Sequence, residues 1–331
     1  MAWQRLSNRL NDRRGSDIQP SECQLEWLDT HQIQTRLDLI DAPIGGLWSA
    51  QGGWIKPTEL VQACLDDARE RLGDQLSIEL NHPVRSEKLH QLQRNFDAIV
   101  VCTAHDELLP WAGLRINKIA GQVSWVQLKK SGNSSEPVGL DTDPVQPALG
   151  FWPKAVICRS GYLSPVIDGQ VLVGATFDRD PSVNQGQGLK PNSQGHTENL
   201  QRVAEISASL ANALKPLWSE GALKGRVAIR HASHDRMPHV GWVISQEALN
   251  KGLPRRASQL HHLPREDKVF VLGGLGSRGL SIAPLAAELL AHQILAKTST
   301  FTAHPSHMLP RPLLDAVDPA RFILRAHRRA G

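Results

Sequence analysis

Residues 268–297 read KVFVLGGLGSRGLSIAPLAAELLAHQILAK. The pattern predicts a buried strand, a glycine-rich turn and a helix, in that order. Apolar residues recur at helical spacing after the glycines, at Ile282, Leu285, Ala286, Leu289, Leu290 and Ile294. Glycines let the backbone approach a ligand closely, and such a turn directs the first N–H groups of the helix at that ligand. The stretch therefore predicts an α/β unit with a ligand at the turn.

The glycines also match a known phosphate-binding spacing. Gly274, Gly276 and Gly279 satisfy G-x-G-x-x-G, which is typical of a dinucleotide pyrophosphate site. That site requires an acidic residue about 20 positions later, but nothing acidic lies between Glu288 and Asp315. The alternative is a strand, turn and helix that close over a flavin ring, with the positive end of the helix facing the N1/C2=O edge. A turn that only packs the helix on a sheet is the simpler alternative.

Composition limits the class of protein without deciding it. The chain has 331 residues, a formal net charge of +4 and 40% hydrophobic residues. No apolar run approaches membrane-spanning length, and the charged N-terminus lacks a signal-peptide core, so we expect a cytoplasmic protein that does not enter a membrane. The four cysteines are far apart in sequence, and we therefore expect neither a disulfide framework nor a metal site.

The C-terminal segment is basic. The arginines are Arg321, Arg325, Arg328 and Arg329. Such a positive end can contact the phosphates of an RNA partner, and a solvated terminal helix is the alternative. The small excess of basic over acidic residues, 37 against 33, is only weak evidence for RNA.

The segment 273–288, GGLGSRGLSIAPLAAE, resembles the closing motif of a known family. This is the FAD-dependent oxidoreductase half of the bifunctional bacterial enzymes that build 5-methylaminomethyl-2-thiouridine in tRNA, within the D-amino-acid-oxidase and glycine-oxidase group. Three further segments resemble the same family in the same order: QGGWIKPTEL (51–60), GYLSP (161–165) with VGATFDRD (173–180), and IRHASHDRMPHVG (229–241). Together they span residues 51 to 297.

The resemblance implies a mixed α/β fold, with an incomplete FAD-binding Rossmann-like sheet and an antiparallel-sheet substrate domain. The apolar, β-branched run Phe96–Cys102 suits a buried parallel strand of the first sheet. Short strands separated by polar turns indicate the second sheet. The predicted parts are an irregular segment 1–50, an FAD-binding domain from 51–111 and 264–298, a substrate domain 112–263, and a basic tail 299–331.

The resemblance also implies the site residues. Arg230 takes the position of the arginine that binds the substrate carboxylate, where a guanidinium can bind bidentately; an ion pair with Asp235 is the alternative. Tyr162, the only tyrosine, would donate to the same carboxylate, or else pack half-buried. Implied cofactor contacts are Val84 near the adenine, and Gly274, Gly276, Ser277, Arg278, Gly279 and Leu280 at the flavin.

The implied activity is the FAD-dependent removal of the carboxymethyl group from carboxymethylaminomethyl-uridine at the tRNA wobble position, with release of glyoxylate. tRNA is then a partner, and a separately encoded methyltransferase is a second candidate partner. Two alternatives stay open. One is a glycine- or sarcosine-type oxidase of small amines, and the other is an inactive fragment.

Two departures from the family pattern affect the cofactor. Relatives open with a strand, a G-x-G-x-x-G turn and a helix that bind the FAD pyrophosphate, and no such segment precedes residue 51. We therefore expect weak FAD binding and a largely colourless protein. Ala104 stands where relatives usually place glycine, and its methyl group would crowd the approach of the cofactor.

Overall fold

The computed structural model describes residues 25–39, 41–105, 107–127, 152–179, 189–219, 222–253, 259–298 and 309–330. The chain divides into two compact units, each made of two stretches. Unit 1 contains residues 1–60 and 120–228, and unit 2 contains residues 61–119 and 229–331.

The strands in chain order are β1 (Leu25–Leu28), β2 (Gly46–Ser49), β3 (Ile99–Val101), β4 (Ile116–Gln127), β5 (Ile157–Cys158), β6 (Tyr162–Leu163), β7 (Gln170–Gly174), β8 (Lys224–Ser233), β9 (His239–Ile244) and β10 (Arg265–Gly273). The α-helices are α1 (Thr30–Leu37), α2 (Pro57–Leu72), α3 (Leu89–Asn95), α4 (Ser193–Ile206), α5 (Ala208–Ser219), α6 (Gln246–Lys251), α7 (Gly279–Thr298), α8 (Arg311–Val317) and α9 (Arg321–Ala330).

Unit 1 is built on an antiparallel sheet with the strand order β5-β6-β7-β4-β8. Strand β4 pairs antiparallel with β7, which pairs antiparallel with β6. Helices α4 and α5 bury Val203, Leu210 and Leu214 in the core that also contains Leu163 and Val173. This sheet confirms the antiparallel architecture that the short apolar runs predict.

Unit 2 is built on a three-stranded mixed sheet with the order β3-β10-β9. Strand β3 is parallel to β10, whereas β9 is antiparallel to it. The apolar run at the centre of β10 is buried because side chains pack on both of its faces: Val269 and Val271 lie in one cluster and Phe270 in another with α7. The mixed α/β fold class is therefore confirmed, and the predicted strand, turn and helix are present.

The division of the chain differs from the predicted domain boundaries. Residues 229–263, predicted within the substrate domain, lie in unit 2 because β9 forms backbone hydrogen bonds with β10. The segment before residue 61 lies in unit 1, where β1 pairs with β2. The first difference arises from the pairing of β9 with β10, which the local pattern of either strand does not reveal.

The C-terminal segment also differs from the predicted basic tail. Helices α8 and α9 belong to unit 2 and bury Val317, Ala320, Phe322 and Leu324. Arg321 is 2% exposed, so neither a phosphate contact nor a solvated helix position applies to this residue. The segment 299–308 lies outside the described residues.

Helix α2 begins at Pro57, and none of its residues is buried. Its apolar residues Val61 and Leu72 are exposed, as are Phe96 and Val100 at β3. Within the described part of the chain, β3 pairs with β10 on one side only. The helix and the strand edge thus present apolar surface, which in folded proteins often marks an interaction site.

Helix α7 carries an unexpected property. By length and composition alone, the 21 residues Gly276–Ala296 are apolar enough to cross a membrane, contrary to the sequence expectation. Core helices of soluble proteins share these properties, so the finding is weak evidence for a membrane. In unit 2, Ala286, Leu289 and Leu290 of α7 pack against Phe270 of β10.

Candidate cofactor and substrate site

The candidate site of unit 2 lies where two parallel strands end. Val101 of β3 is in register with Val271 of β10, so the turns that follow these strands leave the same edge of the sheet. In open α/β sheets, ligands bind at the carboxyl ends of parallel strands. The turn at 103–105 and the glycine turn, defined as residues 273–279, are therefore neighbours at the edge where a ligand is expected.

The glycine turn needs glycine for two separate reasons. Gly274 and Gly276 have φ values of +67° and +57°, a region that other residues adopt only with strain. A Cβ atom added to Gly274 would also stand 3.0 Å from His239 Cδ2 and 3.3 Å from Ser233 Cβ. At Gly279, by contrast, an added Cβ meets no protein atom within 4 Å. The turn is thus tightly packed at Gly274 and open at the start of α7.

The end of β8 is joined to this turn. Ala232 and Leu275 form an antiparallel bridge, and the Ser233 N–H donates to the Gly274 carbonyl at 3.2 Å. Arg230 lies two residues before Ala232 on β8, roughly 7 Å along the strand. Its side chain is partly buried. The predicted carboxylate-binding arginine is therefore carried by a strand that is fixed to the predicted flavin turn.

Asp235, the suggested alternative partner of Arg230, is engaged by two other arginines. It forms ion pairs with Arg321 at 2.8 Å and with Arg325 at 3.1 Å. Burial opposes ionisation of Asp235, but the hydrogen bonds and charge of Arg321 outweigh it and hold the pKa well below its usual range. These contacts account for the charge of Asp235.

The 103–105 turn approaches β8 beside Arg230. The rings of His105 and His231 meet edge to face, with centroids 6.1 Å apart. Ala104 has a φ of +67°, in the left-handed region that favours glycine. The departure from glycine at this position therefore strains the backbone at the predicted cofactor edge.

Replacing Ala104 by Gly should stabilise unit 2. The left-handed conformation costs a non-glycine residue about 1–2 kcal/mol, and the greater freedom of glycine in the unfolded chain offsets about 0.4–1 kcal/mol of that gain. We expect the free energy of unfolding to rise by up to about 1 kcal/mol. Ala287→Gly, at an exposed position inside α7, is the matched control and should lower it by about 1 kcal/mol. Urea titrations measure the free energy of unfolding of both variants. An equal decrease in the two would contradict this account.

Tyr162, the second predicted catalytic residue, lies in unit 1 on β6. It is the cross-strand partner of Gly174, and a Cβ atom at Gly174 would stand 3.1 Å from its hydroxyl oxygen. The absence of a side chain at Gly174 therefore leaves room for the phenol ring on this face of the sheet. The ring is partly buried, which agrees with either predicted role.

The remaining predicted cofactor contacts lie in unit 2. Val84 is 38% exposed in the segment between α2 and α3. Ser277 and Arg278 are exposed in the glycine turn, and Leu280 is 48% exposed at the start of α7. The Arg278 guanidinium donates to the Arg236 carbonyl, which joins the glycine turn to the turn after β8.

The glycine turn fits a flavin. The first turn of a helix has N–H groups without intrahelical acceptors, and its dipole favours negative charge. No protein atom lies within 4 Å of a Cβ added at Gly279, so the backbone there is open to close approach by a ligand. Among the described residues, no group of three or more His, Cys, Asp and Glu side chains is arranged to bind a metal ion.

These features define a class of protein. Residues 2–293 match the model of a family described as FAD dependent oxidoreductase. The chain belongs to this family, whose cofactor is FAD.

Two curated relatives show which proteins of this kind the chain is similar to. The chain is 32% identical over 299 residues to the tRNA 5-methylaminomethyl-2-thiouridine biosynthesis bifunctional protein MnmC of Cupriavidus necator, covering 86% of this chain and 41% of that protein. The corresponding protein of Paraburkholderia phytofirmans is 33% identical, with 86% and 40% covered. The chain thus spans about two fifths of the length of these relatives.

Solved structures agree on the fold. An iminodiacetate oxidase from a Chelativorans species has a TM-score of 0.53 and 20% identity, covering 90% of this chain and 69% of that one. An L-proline dehydrogenase from P. horikoshii has a TM-score of 0.55 and 14% identity, with 90% and 69% covered.

Sequence reasoning missed two residues beside the glycine turn. His239 is fully buried against Gly274, and Arg321 donates to it. The apolar spacing around Arg321, at Val317, Ala320, Phe322 and Leu324, is the signal that indicates a buried helix rather than a solvated tail.

Proposed function

We propose that this chain oxidises a secondary amine that carries a carboxymethyl group, and that its substrate is carboxymethylaminomethyl-uridine at the tRNA wobble position. The position of Arg230 is the observation that supports it, because the strand carrying this arginine is hydrogen-bonded to the glycine turn. The names of the curated relatives support tRNA as the substrate class.

Each part of the site has a task in this reaction. Gly274, Gly276 and Gly279 would hold FAD at the start of α7, and FAD supplies the two-electron acceptor that protein side chains lack. Arg230 would bind the substrate carboxylate through its two parallel N–H groups and so fix the adjacent N–CH2 carbon. Tyr162, on β6 of unit 1, would act as a hydrogen-bond donor to the substrate.

The overall reaction balances with water as the second reactant. The N–CH2 group gives up two electrons and two protons, as a hydride from carbon and a proton from nitrogen, which FAD would accept; water then supplies the new oxygen, and the C–N bond breaks to give aminomethyl-uridine and glyoxylate. The relatives are named for a methylaminomethyl product, so a methyl group must be added afterwards. A separately encoded methyltransferase is part of this proposal as the partner for that step.

The test is an assay on tRNA that carries carboxymethylaminomethyl-uridine. The protein is incubated with this tRNA and added FAD, the nucleosides are resolved by mass spectrometry, and glyoxylate is trapped as a hydrazone. Aminomethyl-uridine and glyoxylate should form in equal amounts. Turnover of glycine or sarcosine with unchanged tRNA would instead identify a small-amine oxidase, and no turnover of either would support an inactive fragment.

Tyr162→Phe should have a modest effect on this activity. The change removes one hydrogen bond and leaves the ring in place over Gly174, so kcat/KM should fall by the equivalent of about 0.5–1.5 kcal/mol. Steady-state kinetics on the modified tRNA measures the loss. Complete loss of turnover by a folded Tyr162→Phe protein would show that the hydroxyl has a larger role than the one assigned.

A further inference from the structure

Arg321, at the start of α9, is a charged residue with no access to solvent. It is 2% exposed, and each nitrogen of its guanidinium donates. Nε and Nη2 bind the two carboxylate oxygens of Asp235 at 2.9 and 2.8 Å, and Nη2 also donates to the Met237 carbonyl at 2.7 Å. Nη1 donates to His239 Nδ1 at 2.9 Å and to the Asp318 carbonyl at 3.1 Å. A bidentate pair of this kind fixes the position of the guanidinium and also compensates its charge.

Two short paths connect this guanidinium to the glycine turn. In the first, the Ser233 hydroxyl donates to the Met237 carbonyl, which also accepts from Arg321 Nη2, and lies 3.2 Å from the Asp235 carboxylate; the Ser233 N–H donates to the Gly274 carbonyl at 3.2 Å. In the second, the His239 ring held by Arg321 packs against Gly274, where an added Cβ would stand 3.0 Å from Cδ2. Both paths end on the glycine with a φ of +67°.

The contact with Arg321 also determines the protonation state of His239. A guanidinium has no acceptor, so Nδ1 must accept and the proton of the neutral ring lies on Nε2. Burial, and then the positive charge of Arg321, lower the pKa of His239 to about 3, against smaller opposing effects of the Leu114 carbonyl and Asp235. His239 therefore stays neutral at physiological pH and packs as a polar but uncharged ring.

We propose that Arg321 is a positioning residue that holds the glycine turn in its ligand-binding conformation through Asp235 and His239. Arg321 would act on the turn through these two residues, since it is itself buried. This role rests on the proposed function of the turn, and it extends that function to α9, which lies beyond the residues 2–293 that match the family model.

The first test measures hydrogen–deuterium exchange in the protein without added FAD. Arg321→Lys keeps the charge but loses the planar fork. We expect the amides of the peptide covering residues 272–280 to exchange roughly tenfold faster, because the glycine turn should open locally more often when it is held less firmly. Arg325→Met is the matched control, because Arg325 pairs with the same Asp235 but is 51% exposed. It should leave the exchange of this peptide within about twofold of the parent.

The second test follows His239 by ¹⁵N NMR at pH 5, a readout that a merely structural role would not move. The parent should show the neutral ring with its proton on Nε2. In Arg321→Met, Nδ1 no longer faces a donor and the positive charge is gone, so the ring should no longer be fixed with its proton on Nε2 and the pKa of His239 should rise, while burial still disfavours the charged form. If Arg321→Met does not fold, the exchange measurement on Arg321→Lys is the test of the proposal.

Two outcomes would overturn the proposal. One is parental exchange of residues 272–280 in folded Arg321→Lys. The other is equal acceleration in this peptide and in Gln170–Gly174 of unit 1, which would indicate a general loss of stability. Neither test uses tRNA. A negative result in these tests therefore does not contradict the proposed reaction, and a negative tRNA assay does not contradict the positioning role of Arg321.

Discussion

Arg230→Ala should lower kcat/KM for a carboxymethylated amine by the equivalent of about 2–5 kcal/mol, the range for removing one partner of a buried charge pair. This corresponds to a loss of roughly 30-fold to several thousand-fold. Most of the loss should appear as a raised KM, because the guanidinium binds a carboxylate that is present in both the substrate and the transition state. FAD content should not change.

Two further variants sharpen this prediction. Arg226 is an exposed arginine on the same strand, and Arg226→Ala should leave the kinetics on a small carboxymethylated amine unchanged. Arg230→Lys should recover only part of the loss, because an ammonium cannot bind a carboxylate bidentately. Parental kinetics for Arg230→Ala would remove this residue from the site.

Gly274→Ala and Gly279→Ala should separate stability from cofactor binding. At Gly274, the left-handed backbone costs about 1–2 kcal/mol, and the contact with His239 Cδ2 at 3.0 Å adds an overpacking cost of about 1–3 kcal/mol. We expect the free energy of unfolding to fall by roughly 2–5 kcal/mol. At Gly279 the backbone is helical and no protein atom lies within 4 Å of an added Cβ. The free energy of unfolding of the Gly279→Ala protein should be unchanged or slightly raised.

The affinity for FAD should show a different pattern. The methyl group of Gly279→Ala occupies the open space at the start of α7, so FAD binding should weaken at least tenfold, about 1.4 kcal/mol, without loss of stability. Chemical denaturation and fluorescence titration with FAD measure the two quantities on the same preparations. Unchanged FAD affinity in a stable Gly279→Ala protein would place the cofactor elsewhere.

The sequence predicts those parts of the site that depend on local pattern. The apolar run before Gly273 and the helical spacing after Gly279 locate β10 and α7, and the run Phe96–Cys102 locates β3. Gly274 is predictable because a left-handed turn favours glycine whatever its surroundings. These elements are short in sequence, and their apolar faces show directly which side is buried.

The rest depends on contacts between distant residues. Arg321 and Asp235 are 86 positions apart, so the local apolar spacing can indicate a buried helix around Arg321 but cannot identify the partner of this arginine. Pairing of β9 with β10 likewise moves residues 229–263 into unit 2. The role proposed for Arg230 rests on the family resemblance, and the link between its strand and the glycine turn depends on the bridge between Ala232 and Leu275.

The central claim is that the glycine turn of unit 2 binds the flavin. It is tested most directly by selective ¹⁵N-glycine labelling of the 26 glycines and NMR titration of the protein with FAD. We predict that the largest amide shifts occur at Gly274, Gly276 and Gly279, and that Gly45 and Gly252 do not move. Shifts concentrated at other glycines, such as Gly195 in unit 1, or no shift at the glycine turn at saturating FAD, would contradict the account.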